Sequence, residues 1–169
     1  MNKIFLIAEG DTDIAILRKL IPEQYAKGVK FVAGKGYSAA TSLAGSLLYD
    51  KPDIRVVLVL DADTTDPNLI QERYDFLDWQ LKRMSFNRSY DIILFVPMIE
   101  ALFINHNIIE IEQPVSYNPR NTIDKALKKQ NISFNDFIQN LSKSDIDRLR
   151  KDQAVQTIIE AVQRETVPS

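Results

Sequence analysis

Two apolar runs in this chain stop abruptly on carboxylates. Val56–Val57–Leu58–Val59–Leu60 ends in Asp61–Ala62–Asp63, and Ile4–Phe5–Leu6–Ile7–Ala8 ends in Glu9. Two acids spaced i, i+2 with nothing basic beside them are poorly explained by folding alone. Unit charges about 4 Å apart repel by roughly 1 kcal/mol in water, and by about 4 kcal/mol at an effective dielectric of 20. A hard divalent cation that prefers oxygen ligands is the simplest offset, and Glu9, Asp61 and Asp63 together would hold Mg²⁺, or Mn²⁺ in its place, with positions left for water and a substrate phosphate. The chemistry such a site performs is metal-assisted hydrolysis, in which the ion polarises a phosphoryl oxygen and activates a water. Asp11 and Asp13 follow Glu9 closely and either could extend the set. Their plainer role is that of first-turn acids favoured by a helix dipole. Lys35, flanked by Gly34 and Gly36, could contact a phosphate, since glycines let the backbone approach and lysine acts as a point charge. A solvated turn lysine fits the same pattern.

These groups need elements to position them. The run over 56–60 does not alternate with polar residues, which is the pattern of a strand covered on both faces in a parallel sheet. Residues 4–8, 30–33 and 92–96 read as further strands, the last stopped by Pro97. Between them lie helical spacings. Thr12 or Asp13 caps a helix with Ile14, Leu17 and Leu20 or Ile21 on one face, Pro22 ends it, and Gly28 suits a left-handed position. Residues 38–50 form a helix with Ala40, Leu43 and Leu47 inward. Asp66 and Pro67 are cap and first residue of a long helix through Ile70, Tyr74, Leu77, Leu81 and Met84. A new element begins near Ile99. The alternation predicts an α/β fold: a doubly wound, mainly parallel four-stranded sheet with helices on both faces. In such sheets the first and third strands are neighbours at the switch point, where ligands bind at the strands' carboxyl ends. That would bring Glu9, Asp61 and Asp63 into one crevice.

Residues 106–120 read as irregular, punctuated by Pro114 and Pro119, and residues 121–166 as helical. Ile123, Ala126 and Leu127 share one face, as do Val155, Ile158, Ile159 and Val162, and Ser144 with Asp147 resembles a capping box. The organisation expected is an α/β core over 1–105, with 106–169 as a connecting loop and a C-terminal helical extension packed on it. Arg120, Lys125, Lys128 and Lys129 gather at the start of that extension and could grip a nucleic-acid backbone, although charge runs on helices are commonly solvated faces.

Composition narrows the chemistry further. The chain has 169 residues, enough for one sizeable core, and no cysteine, so thiolate metal sites, disulfides and a cysteine nucleophile are excluded. Its one histidine, His106, excludes any site needing two and has no assigned task. Lys3 is followed by an apolar run that reaches Glu9 too soon for a secretory signal, and no apolar segment approaches the ~18 residues of a membrane span. A soluble, cytoplasmic protein without a membrane partner is expected. The net charge of −2 leaves the partner open, because an acidic cluster lowers the sum without removing local basic surface.

Strand–Glu9–Gly10–helix, followed two strands later by strand–Asp61–Ala62–Asp63, resembles the TOPRIM domain of topoisomerases, primases and nuclease proteins, over roughly residues 3–105. Lys30–Phe31–Val32–Ala33–Gly34–Lys35–Gly36 and Pro97–Met98–Ile99–Glu100–Ala101–Leu102–Phe103 are similar to small stand-alone TOPRIM proteins related to the OLD-family nucleases. The resemblance implies a Mg²⁺-dependent nuclease acting on phosphodiester bonds of DNA or RNA. Glu9 would be general acid/base or metal ligand, Asp61 and Asp63 metal ligands, and Glu100 an additional acid near the metal. It also implies that an ATPase or other protein subunit could be a partner. Many TOPRIM proteins carry glycine three positions after the second acid, where this chain has Asp66. That departure weakens the match to topoisomerases and primases more than to the nucleases.

Two other readings stand beside this one. Asp61–Ala62–Asp63–Thr64–Thr65 resembles the Asp-x-Asp-x-Thr motif of haloacid-dehalogenase-type phosphatases, in which Asp61 would be the nucleophile and Asp63 the acid/base. That family usually carries its motif on the first strand, whereas two strands precede it here. A receiver domain is set aside, because it would want Ser or Thr at the end of the fourth strand, where Val96 and Pro97 stand. The non-enzymatic alternative is a TOPRIM-like module that binds metal, nucleic acid or a partner without turnover.

Overall fold

The computed structural model of the chain describes residues 3–111 and 118–164. Its sheet is built from β1 (Ile4–Ala8), β2 (Val29–Ala33), β3 (Arg55–Asp61) and β4 (Tyr90–Phe95), in the order β2-β1-β3-β4 with every pairing parallel. All five residues of β1 are buried, as are the five from Val56 to Leu60, which explains why neither run alternates. The chain passes from β1 outward to β2 and then crosses back to β3 on the far side of β1. The strand order therefore reverses between β1 and β3, and the crevice of an open α/β sheet falls there.

Helices α1 (Asp11–Leu20), α2 (Glu23–Ala26), α3 (Tyr37–Asp50), α4 (Pro67–Met84) and α5 (Ala101–Asn105) connect and follow the strands. They are succeeded by α6 (Pro119–Lys129), α7 (Phe134–Gln139), α8 (Lys143–Leu149) and α9 (Gln153–Gln163). One face of the sheet, carrying Phe5, Ile7, Val56, Leu58 and Leu60, packs on α3 and α4 through Ala40, Ala44, Leu48, Leu77 and Leu81. The opposite face, carrying Leu6, Ala8, Val57, Val59 and Phe95, shares its core with α1 and with the C-terminal helices through Ile123, Leu127, Ile138, Val155, Ile158 and Val162. Each such side chain contributes up to about 1.5–3 kcal/mol when fully buried, so this layer, rather than a separate unit, closes one side of the sheet.

Several local expectations change. Gly10, not Thr12 or Asp13, is the N-cap of α1, and Asp13 sits three residues in with its Oδ2 accepting the Gly10 N–H at 3.0 Å. Gly28 is not left-handed; among the described residues Gly36 is the glycine with positive φ. Leu43 and Leu47 are only half-buried, and Leu48 fills the core position on α3. Along α4, Ile70 and Tyr74 hold the helical spacing without full burial, because the helix docks through Leu77 and Leu81 in its second half. Pro119 opens α6 behind the Asn118 cap, since proline at the first helical position forfeits no hydrogen bond. The capping box is Ser142 with Asp145, two residues earlier than Ser144 with Asp147. Pro114 and residues 165–166 lie outside the described residues. Asp66 and Pro67 start α4 as expected, the Asp66 carboxylate accepting from the Asn68 amide at 2.9 Å. No helix among the described residues is long and apolar enough to cross a membrane.

Candidate metal centre

The carboxyl ends of β1 and β3 carry the site. Glu9 follows Ala8, whose partner in the neighbouring strand is Val59, two residues before Asp61. The sheet ladder extends past the strands here. Gly34 N–H donates to the Ala8 carbonyl and Gly36 N–H to the Glu9 carbonyl, each at 2.8 Å, so the Gly34–Lys35–Gly36 turn is fastened beside Glu9. Gly34 is required by packing: a Cβ there would lie 2.5 Å from the Ala40 Cα on α3.

Asp61 is held by a second loop. Its Oδ1 accepts the Ile99 N–H at 2.8 Å, while the Ala62 and Asp63 amides donate to the carbonyls of Phe95 and Pro97, each at 2.8 Å. The turn after β4, which contains a cis Val96–Pro97 bond, thus lies against the end of β3 and carries Glu100 inward, where it is buried. From the other side α1 contributes Asp13. One carboxylate oxygen from each of Asp13, Asp61 and Glu100 lies within 4.8 Å of the other two, so this cluster could hold a metal ion.

The electrostatics match that arrangement. Burial pushes the Asp61 carboxyl up to about 8, with negative Asp13, Glu9 and Glu100 adding to the rise and the Ile99 N–H opposing it. Burial likewise raises Glu9 to about 7, opposed by the Asp61 backbone amide and reinforced by Asp13, Asp63 and Glu100. Asp13 rises to about 6 through burial and the nearby Glu100 charge, with the Gly10 N–H and Arg120 opposing. Glu9 Oε1 and Glu100 Oε2 are buried with no hydrogen-bond partner among the described residues. An orphaned buried carboxylate oxygen is costly in a folded protein. Glu100 belongs to the group of three, and an ion bound there could supply a partner to its free oxygen.

The expected residues divide. Asp13 and Glu100 join Asp61 in the cluster, Asp13 serving at once as first-turn acid and as member of the site. Glu9 lies outside that group of three but couples to it electrostatically. Asp63 is exposed and left-handed at φ 54, Lys35 is exposed and left-handed at φ 63, and Asp11 is exposed on the first turn of α1. His106 does have a partner: its Nε2 lies 3.0 Å from Asp152, the cap of α9, and ties α5 to the last helix.

Three residues at this edge were not singled out from the sequence for what they do. Arg120 is no free phosphate-gripping charge. Its guanidinium lies 3.9 Å over the Phe134 ring, pairs with Asp124 at 3.0 Å and reaches Glu100 Oε1 at 3.5 Å. Lys125, Lys128 and Lys129 stay exposed. Arg73 on α4 donates to the Ala62 carbonyl and holds the backbone between Asp61 and Asp63. Tyr37, the first residue of α3, has its hydroxyl raised by burial and by Glu9 and Asp63, with Arg73 opposing. Position after the Gly-Lys-Gly turn was the only cue to Tyr37, and nothing local marked Arg73.

The fold and site together define an α/β protein with a four-stranded, all-parallel, Rossmann-like sheet and a carboxylate cluster at its switch point that could bind a metal ion. No protein-family model matches the chain, and no curated protein matches it in sequence.

Proposed function

We propose that this chain is a TOPRIM-like, Mg²⁺-dependent nuclease-type protein that hydrolyses phosphodiester bonds of nucleic acid. The observation that carries the reading is the meeting of Asp13, Asp61 and Glu100 within 4.8 Å, at the strand ends where α/β sheets bind ligands. Those three residues would hold the ion, which when bound supplies Lewis-acid polarisation of a phosphoryl oxygen and a more acidic water. Glu9, with a carboxyl raised to about 7, is poised near neutral pH to take a proton from an attacking water. Asp63, exposed and within electrostatic reach of Glu9, would help orient that water. Lys35, fastened beside Glu9, supplies a positive charge for a substrate phosphate. A nucleic acid is the substrate partner on this reading, and an ATPase or other subunit could present it.

One observation favours the non-catalytic alternative, a module that binds metal or nucleic acid without turnover. Arg120 already gives the cluster an internal cation, which favours a module that binds nucleic acid without requiring a metal. The phosphatase reading has less support, because Asp61 closes the third strand of the sheet, whereas that family usually carries its motif on the first.

The test has two stages. Mg²⁺ and Mn²⁺ are titrated into wild type and Asp61→Asn while thermal unfolding is followed, since a ligand of the native state raises the melting temperature by mass action. DNA, RNA and a phosphomonoester are then offered with and without metal. A metal-dependent rise lost in the variant, with cleavage of DNA or RNA, supports the nuclease reading. Metal or nucleic-acid binding without turnover supports the binding module, phosphomonoester cleavage supports the phosphatase, and absence of both metal binding and nucleic-acid binding overturns all three.

A further inference from the structure

The outer face of α4 carries a stripe with its own logic. Leu69, Glu72, Phe76, Trp79 and Arg83 recur at alternating spacings of three and four, so they fall within about a quarter of the helix circumference. The stripe points away from Leu77 and Leu81, which dock the helix on the sheet. Phe86 lies past the extended Ser85 cap and off the helix, its ring 6.3 Å from that of Tyr49 at the end of α3. Leu69, Phe76, Trp79 and Phe86 are 44%, 58%, 53% and 82% exposed. Phe76 and Trp79 stack on one another at 6.1 Å, and Arg83 lies over the Trp79 ring at 4.6 Å.

We infer that this face is a two-fold interface in which α4 pairs antiparallel with α4 of a second copy of the chain. The stripe is complementary to itself about an axis midway between Phe76 and Trp79. That axis sets Phe76 against the second copy's Trp79 and Glu72 against its Arg83: aromatic on aromatic, acid on base. An isologous interface demands this kind of matching, with residue i meeting j and j meeting i. A groove of about 380 Å³ between α3 and α4, lined in part by Gly45, Trp79 and Arg83, adjoins the stripe. At ~150–250 Å² per aromatic side chain, the exposed parts of Phe76 and Trp79 alone offer roughly 170–280 Å² per copy, up to about a third of the ~800 Å² that each partner gives to a standard interface. The pairing is independent of the carboxylate cluster and of any reaction there.

The test is the mass of the full chain in solution, by sedimentation velocity, for wild type and three variants whose fold is checked by circular dichroism. Because the altered residues are exposed, they are expected to fold. Wild type at about 100 μM, above the micromolar constants of weak interfaces of this size, is expected to sediment as a dimer. Phe76→Ala with Trp79→Ala is expected to be monomeric. Glu72→Arg and Arg83→Glu should each dissociate, since each places like charges opposite one another. Mixing those two single variants should restore a dimer, because the mixed pair sets Arg against Glu at both contacts. A monomeric wild type overturns the proposal and leaves the face to a different protein. A dimer that survives the aromatic double variant, or charge variants that fail to complement when mixed, overturns it as well.

Discussion

Arg120 Nη1 lies 3.5 Å from Oε1 of the buried Glu100, so the first helix of the C-terminal layer reaches into the carboxylate cluster at the strand ends. Phe134 holds the guanidinium in place from below, and Phe134 itself packs edge-on against Phe103, three residues after Glu100. The extension is thus part of the site as well as part of the core.

Arg120→Ala is expected to destabilise the metal-free protein by about 1 kcal/mol, a modest figure because the arginine is one third exposed to solvent. Adding Glu100→Gln should recover most of that loss, since the uncompensated charge is then gone. Chemical denaturation of the two single variants and the double variant closes the cycle. Additive effects would show that the pair does not interact.

The raised carboxyls make stability depend on pH in a definite direction. Asp13, Glu9 and Asp61 bind protons more tightly when folded, at about 6, 7 and 8, than in the unfolded chain near 4. Their contribution is therefore full below about pH 4 and is lost as pH rises through 8. Without metal, the melting temperature is expected to fall between pH 5 and pH 8 on account of these groups, and Mg²⁺ should offset that fall more at pH 8 than at pH 6. Thermal melts across that range, with a chelator and with metal, check both signs.

At Asp61 the choice of substitution decides the outcome. Relief of repulsion alone would make its removal harmless, but its Oδ1 accepts the Ile99 N–H. Asp61→Ala should therefore cost about 1–3 kcal/mol by leaving that amide unpaired, offset in part by the lost repulsion. Asp61→Asn keeps the acceptor and should be at least as stable as wild type at pH 8 while losing metal binding. Equal stability of the two variants would show that the Ile99 bond contributes nothing.

Lys35 sits at φ 63, a conformation that costs a side-chain-bearing residue roughly 1–2 kcal/mol and a glycine almost nothing. Lys35→Gly is expected to leave stability unchanged or raised while weakening binding of a nucleic-acid backbone, read by denaturation and by filter binding. Gly34→Ala, one residue away, should instead destabilise by about 2 kcal/mol or more, because the added carbon meets the Ala40 backbone at 2.5 Å.

Much of the sheet was legible because burial on both faces leaves a simple trace: Val56 to Leu60 can contain no polar residue if α3 and α4 lie on one side and the C-terminal layer on the other. The start of α4 was legible for a local reason, the Asp66 side chain bonding within its own turn. Boundaries set by competition between near-equivalent caps were not. Ser142 and Ser144 both stand three residues before an aspartate, and only the docking of Leu149 and Ile146 on the core selects the first. Asp13 was ambiguous because a first-turn acid and a member of an acidic cluster look alike until the neighbouring strand is in place.

By itself the sequence determined the strands, the run of crossover helices and the two strand ends at which Glu9 and Asp61 had to appear, since each is written in contiguous residues. Tertiary structure decided the composition of the site. Asp13, Asp61 and Glu100 come from the first helix, the third strand and the turn after the fourth, and Arg120 from beyond all of them. Charges so far apart in sequence meet only because parallel strands end at one edge and the C-terminal helices must cover one face of the sheet. No local pattern encodes a distance between residues that only packing brings together.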